Sequence, residues 1–382
     1  MINVFDVTEF GAVGDGVCDC TEAFQRAIDE AKKVKGTVIV PPGTYISATL
    51  YMKPSVTLSG FSGWGYRETG GSVIKLRDGD CHCLIDMTGG FGARICDLQL
   101  LGNHCAGEGV HGVYVWWENQ ESRLNNDPAR EDNCIPEPDH VGFREDSISI
   151  ERCCLKNFSG DAIHLWRIWA FTVRNCMIGS NMGNGIYING WDGWISDCVI
   201  HTNKKAALYS DNICAAITMT GNRIEWNRGG FDLTNASSLN ITGNYFDRAY
   251  GPAIRLRGHW FACNNITFTG NIFNRNGKYL PSFEEDKYEN CHLYFENCHN
   301  LALSGNTFLT GRDDFGDTPF SPDYGIVYKK LRSCSFTGNT MYGGAMIEKL
   351  CDLGESCDNA FCGNAGTNPP DKNEKPGNGS YE

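Results

Sequence analysis

Two carboxylates, Glu225 and Asp247, stand 22 residues apart at equivalent places in the segments NRIEWNR and NYFDRAY, each after an asparagine and an inward apolar residue. If those segments stack, the acids become neighbours one layer apart, about 5 Å at the backbone. Two close carboxylates resist joint ionisation, so one pKa rises and that group becomes a general acid. A pair about 5 to 5.5 Å apart suits retaining glycoside chemistry, and a wider pair suits inversion. His201 precedes Glu225 by one more repeat and would tune it, while Trp226 and Arg248 follow the two acids. The plainer alternative is a solvated ridge whose acids Arg248 neutralises.

A second set falls on the following segment of each repeat: His164, Tyr187, Tyr209, Asp232 and Arg255. Two residues on comes Asn189, Asp211, Thr234 and Arg257. Aromatic faces stack on sugar rings, and acids and arginines fix hydroxyls or charges. Asp211 and Asp232 form a rival acid pair. The same residues would also suit a subunit contact, where Tyr and Arg are enriched.

These alignments rest on an internal repeat. Ile150, Val173, Ile195, Met219 and Ile241 recur every 22 to 24 residues. Each copy holds two short alternating stretches parted by an Asn/Gly turn, too short an interval for a helix. Such repeats predict coils of a parallel β-helix, whose apolar faces are buried only by stacking. Cys153, Cys176, Cys198, Asn222, Asn244, Asn271, Asn306 and Asn339 then form one inward column, the cysteines as small buried residues and the asparagines as an amide ladder.

Before the repeats, Asp19 or Thr21 caps a predicted helix whose apolar face is Ala23, Phe24, Ala27, Ile28 and Ala31, with Gly36 as its stop. Strands Thr37 to Val40 and Thr44 to Ala48 follow around a Pro-Pro-Gly turn. The expected organisation is a cap over 1–60, the β-helix over 61–362 with a lid or contact-arm insertion at about 103–140, and a polar tail over 363–382.

Composition narrows the partners. The 382 residues are 41% hydrophobic and 21% charged, enough to bury a core. The formal charge of −13 argues against nucleic acid and anionic membrane surfaces, and no window approaches 18 consecutive apolar residues. Nineteen cysteines and a start lacking a basic and apolar leader suggest reduced thiols and a cytoplasmic setting. No paired CxxC spacing supports a metal site, and GDG at Gly14 to Gly16 lacks the context of a nucleotide loop.

The stretch FDVTEFGAVGDG, the helix after it and VPPGTY together resemble the N-terminal signature of the pectate-lyase-like β-helix superfamily, over Phe5 to Gly60. The repeats extend the likeness to about residue 350. The resemblance implies an all-β, right-handed, single-stranded parallel β-helix with an N-terminal capping α-helix, a homotrimer, and carbohydrate on the lateral face. The superfamily holds lyases, polygalacturonases, inulin fructotransferases, epimerases and tailspikes, so fold alone does not select chemistry. The NTD and GHG motifs of polygalacturonases are missing.

The expectation is a glycoside hydrolase or intramolecular glycosyl transferase acting on oligosaccharide. Glu225 would be its acid/base, Asp247 or Asp232 nucleophile or base, and Asp211 a further candidate. His164, Tyr187, His201, Tyr209, Trp226, Arg248, Arg255 and Arg257 would bind sugar, with no cofactor. The alternatives are a uronate lyase, for which calcium would be the cofactor, and a non-catalytic carbohydrate-binding or spike protein.

Overall fold

The computed structural model describes residues 3–61, 63–66, 70–104, 109–118, 145–277, 287–312 and 321–367. These form two compact units, Met1–Trp194 and Ile195–Glu382. In both, short strands pair in parallel with the strands of adjoining coils, as a β-helix requires.

In the first unit two short strands, Val4–Asp6 and Asp15–Asp19, precede the helix Thr21–Lys32, which buries the five apolar residues expected of it. Its cap is not the one expected. Cys20 occupies the N-cap position but its side chain caps no helix amide, and Asp19, just outside the helix, accepts from the amide and hydroxyl of Thr21. Coils of strands follow. Ile163–Arg174 is one long strand bent at Arg167 and Ala170, both in the left-handed region, so it serves two faces of its coil. The strand His111–Trp116 lies within the stretch expected to be an insertion, yet it pairs in register with Ile163 to Trp166. It is part of a coil, and the lid assignment fails there. Trp117 is buried, stacks on Phe91 and donates to Asp146 at 2.8 Å. The remainder of that stretch, 119–140 with Arg123 and Arg130, lies outside the described residues.

The second unit shows why the Gly-Asn turn repeats. Gly221, Gly243, Gly270, Gly305 and Gly338 all have φ between 63° and 66°, a conformation that glycine adopts without strain. Each turn aims the next asparagine inward. Asn222 Oδ1 accepts from the Cys198 amide at 3.0 Å. The amides of Asn222, Asn244, Asn271, Asn306 and Asn339 each donate to the asparagine one coil on, at 2.9 to 3.0 Å. Their Nδ2 atoms satisfy strand carbonyls such as Ile195 and Ile241. The ladder is fully buried through Asn339 and extends to Asn364, with Thr340 bridged to Ala365. Residues 363–367 therefore belong to the coils rather than to the expected tail; 368–382 lie outside the described residues.

Phe246, Phe273 and Phe308 stack inside at 5.2 and 5.0 Å, continuing the inward line of Ile200 and Ile224. The cysteines among the described residues are free thiols, most of them buried; Cys153, Cys176 and Cys198 fill the inward positions expected. No helix among the described residues is long and apolar enough to cross a membrane.

Candidate active site

The register predicted for the acid column holds: His201 lies opposite Glu225, Glu225 opposite Asp247, and Asp247 opposite Asn274. Its exposure does not. Asp247 is 1% exposed and Glu225 6%. Arg275 grips Asp247 through Nε at 2.9 Å and Nη2 at 2.6 Å, and Arg248 adds a contact at 2.9 Å. Arg223 takes Glu225 at 2.6 Å. Arg248, itself buried, lies 4.0 Å above the Trp226 ring. His201 pairs with Thr202 at 3.0 Å.

Burial raises the Asp247 pKa, opposed by Arg275 and Arg248; repulsion from Glu225, the cause foreseen, adds to the rise but is not its main source. A general acid needs hydrogen-bond reach to its substrate, and Asp247 offers substrate no free edge. Glu225, Asp247, Arg248 and Trp226 are thus corrected from a sugar-facing pair with binding partners to a sealed ionic cluster.

Glu225 and Asp232 also belong to different strands, Arg223–Glu225 and Gly229–Thr234, in different sheets. The register gives each a different neighbour, so they do not form the alternative pair. Asp232 lies opposite Tyr209 and Arg255. Arg255 forks onto it and also reaches Glu289, while Arg257 contacts it at 3.2 Å. These arginines are committed to protein acids. Asp211 is exposed. Tyr209 is pushed up by burial, with Asp211 and Asp232 adding to the shift.

His164 and Tyr187, expected in the same row, lie in the first unit, where they join a constellation that sequence reasoning only grazed. His164 and Tyr187 stack at 4.3 Å with planes 5° apart. Tyr114 lies opposite His164, and Trp116 opposite Trp166. Trp116 and Trp166 stack at 5.0 Å, and Tyr114 lies 5.4 Å from His164. Alternation explains this: Val113, Val115, Ile163 and Leu165 are fully buried, so the residues between them face out. The result is a two-row aromatic shelf with Trp116 43% exposed. Arg167 edges it, 5.7 Å from the Trp166 ring, with Nη1 donating to the Glu118 carbonyl.

At the shelf's base Asp161 is buried. Its Oδ1 accepts from the Asn184 amide at 2.6 Å and side chain at 2.9 Å; its Oδ2 faces His164 Nδ1 at 2.8 Å. Burial alone would raise Asp161, but these bonds outweigh it and hold the carboxyl below its usual range. An ionised carboxylate only accepts, so His164 Nδ1 carries the proton and Nε2 is left as the basic atom. His111 Nδ1 accepts from the Asp161 amide at 3.0 Å. Burial, then repulsion from His164, lowers His111 to about 4. Burial also pushes Tyr114 up to about 12, with Asp86 adding to it. Nothing in the spacing marks Asp161, three residues before His164, because it sits in the turn outside the alternating strand.

Two ligand-like groups occur among the described residues, His111–Asp161–His164 and His82–Cys83–Asp86. Neither is the oxygen-rich set calcium takes. Cys83 is driven far from the thiolate by burial, and His82 already pairs with Asp86 at 3.1 Å. In the first trio a metal would compete with the bonds Asp161 makes to both imidazoles.

A family model described as "Right handed beta helix region" matches residues 161–341, and one described as "Rhamnogalacturonase A/epimerase, pectate lyase-like" matches 4–71. The chain is a right-handed, single-stranded parallel β-helix with an N-terminal capping helix. Both matches are to right-handed β-helix, pectate-lyase-like models, which this chain resembles. It is 30% identical over 214 residues to the Mannuronan C5-epimerase AlgE4 of Azotobacter vinelandii, covering 51% of this chain and 32% of that protein. The chain spans a third or less of the curated relatives most like it. Among solved structures, the AlgE6 A-module of a mannuronan C-5 epimerase from the same organism superposes with a TM-score of 0.66 at 17% identity, over 94% of this chain and 98% of that one. DFA-IIIase from Arthrobacter chlorophenolicus A6, in complex with GF2, gives 0.64 at 13%, covering 94% of each. At those identities the structural likeness concerns the fold.

Proposed function

We propose that this chain is a carbohydrate-active enzyme that removes the proton on the carbon next to a uronate carboxylate, within an oligo- or polysaccharide. The observation carrying this reading is the His164–Asp161 pair at the foot of the stacked shelf. Tyr114, Trp116 and Trp166 offer π-faces to the apolar side of sugar rings, and buried Tyr187 backs His164. His164 Nε2 is the base, oriented by Asp161 as a carboxylate orients imidazole in other acid–base sites. Arg167 is the cation at the shelf's edge that can meet the substrate carboxylate as charge builds on it. Returning the proton to the other face inverts the centre; expelling the neighbouring sugar oxygen cleaves the chain. Likeness to a C5-epimerase supports the reaction class. The burial of Asp247 under Arg275 weighs against the carboxylate-pair hydrolase.

A second reading, glycoside hydrolysis or intramolecular glycosyl transfer, draws on exposed Asp211, which shares with Asp232 an electrostatic pull on Tyr209. The two readings differ at His164. His164→Gln keeps a hydrogen bond to Asp161 but loses the base, and turnover of uronate polymer should fall at least about a hundredfold with the thermal transition unchanged. Undiminished turnover would remove His164 from the chemistry and favour the carboxylates.

A further inference from the structure

At the far end of the strand Ile163–Arg174, past the bends that separate it from the shelf, the first unit carries a second feature. Asp97, Arg152 and Asn175 are the single-residue turns of three coils, with φ of 58°, 50° and 53°. Together with Gly63 and Trp64 they line an open cleft of about 280 Å³, near the lower end of small-ligand pockets and the size for one sugar ring rather than a chain.

Trp64 is held there by design of its loop. Buried Lys156 donates to the carbonyls of Gly65 and Tyr66 at 2.9 and 2.8 Å. Gly63 lies so close to the next coil that a Cβ would fall 2.5 Å from the Leu98 carbonyl oxygen. The indole is nonetheless 47% exposed, an apolar face fixed in place and left open.

Charge converges on the same corner. Glu151, mostly buried, takes Arg94 at 2.8 Å, Arg174 at 3.1 Å and Arg152 at 3.3 Å, while Arg152 forks onto Asp97 at 2.7 and 2.6 Å. Three guanidiniums against two carboxylates leave one net positive charge, in a chain of formal charge −13. The arginines stay 39 to 48% exposed. Arg152 spends three N–H groups on Glu151 and Asp97, and a guanidinium has five.

We infer that the Trp64–Arg152 corner is a second glycan subsite, which seats one anionic sugar residue with its ring on Trp64 and its acidic group on Arg152 and Asn175. Such a subsite would hold a long acidic chain to the enzyme while another stretch of it lies on the shelf, raising the local concentration of substrate. The inference rests on the carbohydrate reading above and adds to it a site away from the shelf, with a preference for charge.

The test is calorimetric titration of the intact protein with oligomannuronate, oligogalacturonate and a neutral fructo-oligosaccharide, on wild type, Trp64→Ala, Arg152→Lys and Trp166→Ala. Two classes of uronate site are expected in wild type. Trp64→Ala should remove one class and weaken binding of long polymer about tenfold, leaving turnover of short oligomers intact. Arg152→Lys keeps the charge but loses the fork and should weaken the same class. Trp166→Ala should affect only the other. If Trp64→Ala binds every ligand as wild type does, or the Trp64 class takes the neutral sugar equally well, the subsite is overturned while the shelf reading stands. If wild type binds no uronate at all, both fall.

Discussion

His111 and His164 share Asp161 yet do different work. His164 turns Nδ1 to the Asp161 carboxylate, whereas half-buried His111 accepts from the Asp161 amide and is held neutral. Its ordinary value of 6.5 applies to the unfolded chain, against about 4 when folded. Between those values the unfolded state binds more protons, so stability rises with pH. The His111 contribution is complete above 6.5 and is lost as pH falls toward 4. A shift of that size corresponds to about 3 kcal/mol. The charged or titrating neighbours are His82, His164 and Asp161. Replacing His111 by Gln supplies an acceptor for the Asp161 amide but no proton. Urea midpoints measured across this window should fall with acid in wild type and stay flatter in the variant; parallel curves would show that His111 is not the titrating group. None of this was readable from spacing. Alternation placed His164 and Tyr187 on the outer face, but Asp161 acts from a turn, and a turn residue's direction depends on backbone that periodicity does not describe.

At the scale of the strand and turn, far more was legible. The 22- to 24-residue period fixed which residues stack, and Glu225 does lie opposite Asp247. Period two assigns a side chain to the outside of a coil; it cannot say what folds over it there. Arg248 and Arg275, both in left-handed turns, lie across the acids and seal them. The same limit hid the shelf, since the chemistry of Tyr114, Trp116 and Trp166 depends on stacking between coils separated by a long intervening stretch. The asparagine column was legible because it needs only a small polar residue after a turn glycine. A second column was not singled out: the amide of Asn203 donates to Asn227, and that of Ala249 to Asn276. Truncating Asn271 to Ala would orphan the buried amide of Asn244 and the Ile241 carbonyl. An unpaired buried group costs about 1–3 kcal/mol, so thermal or chemical unfolding of Asn271→Ala should show a loss of at least about 2 kcal/mol. A variant as stable as wild type would mean that the ladder fills space without bearing on stability.

For the molecule as a whole, a shared architecture accommodates opposed chemistries. Its fold is shared about equally with a C-5 epimerase module and with DFA-IIIase, so fold alone selects no chemistry. In the second unit the acids and arginines are paired among themselves, a pattern of rigid construction. In the first, an imidazole bonded to Asp161 lies in a row of stacked rings whose exposed member is Trp116. The proposed reaction, proton removal, therefore belongs to the first unit. Incubating the intact protein with uronate-containing polymer in deuterium oxide, and reading the C5 position by NMR, tests this most directly. Either deuterium should enter C5 with inversion, or C5 should lose its hydrogen to a C4–C5 double bond at a new chain end, and neither should occur with His164→Gln. Cleavage or transfer of a glycosidic bond with C5 wholly protonated would contradict it.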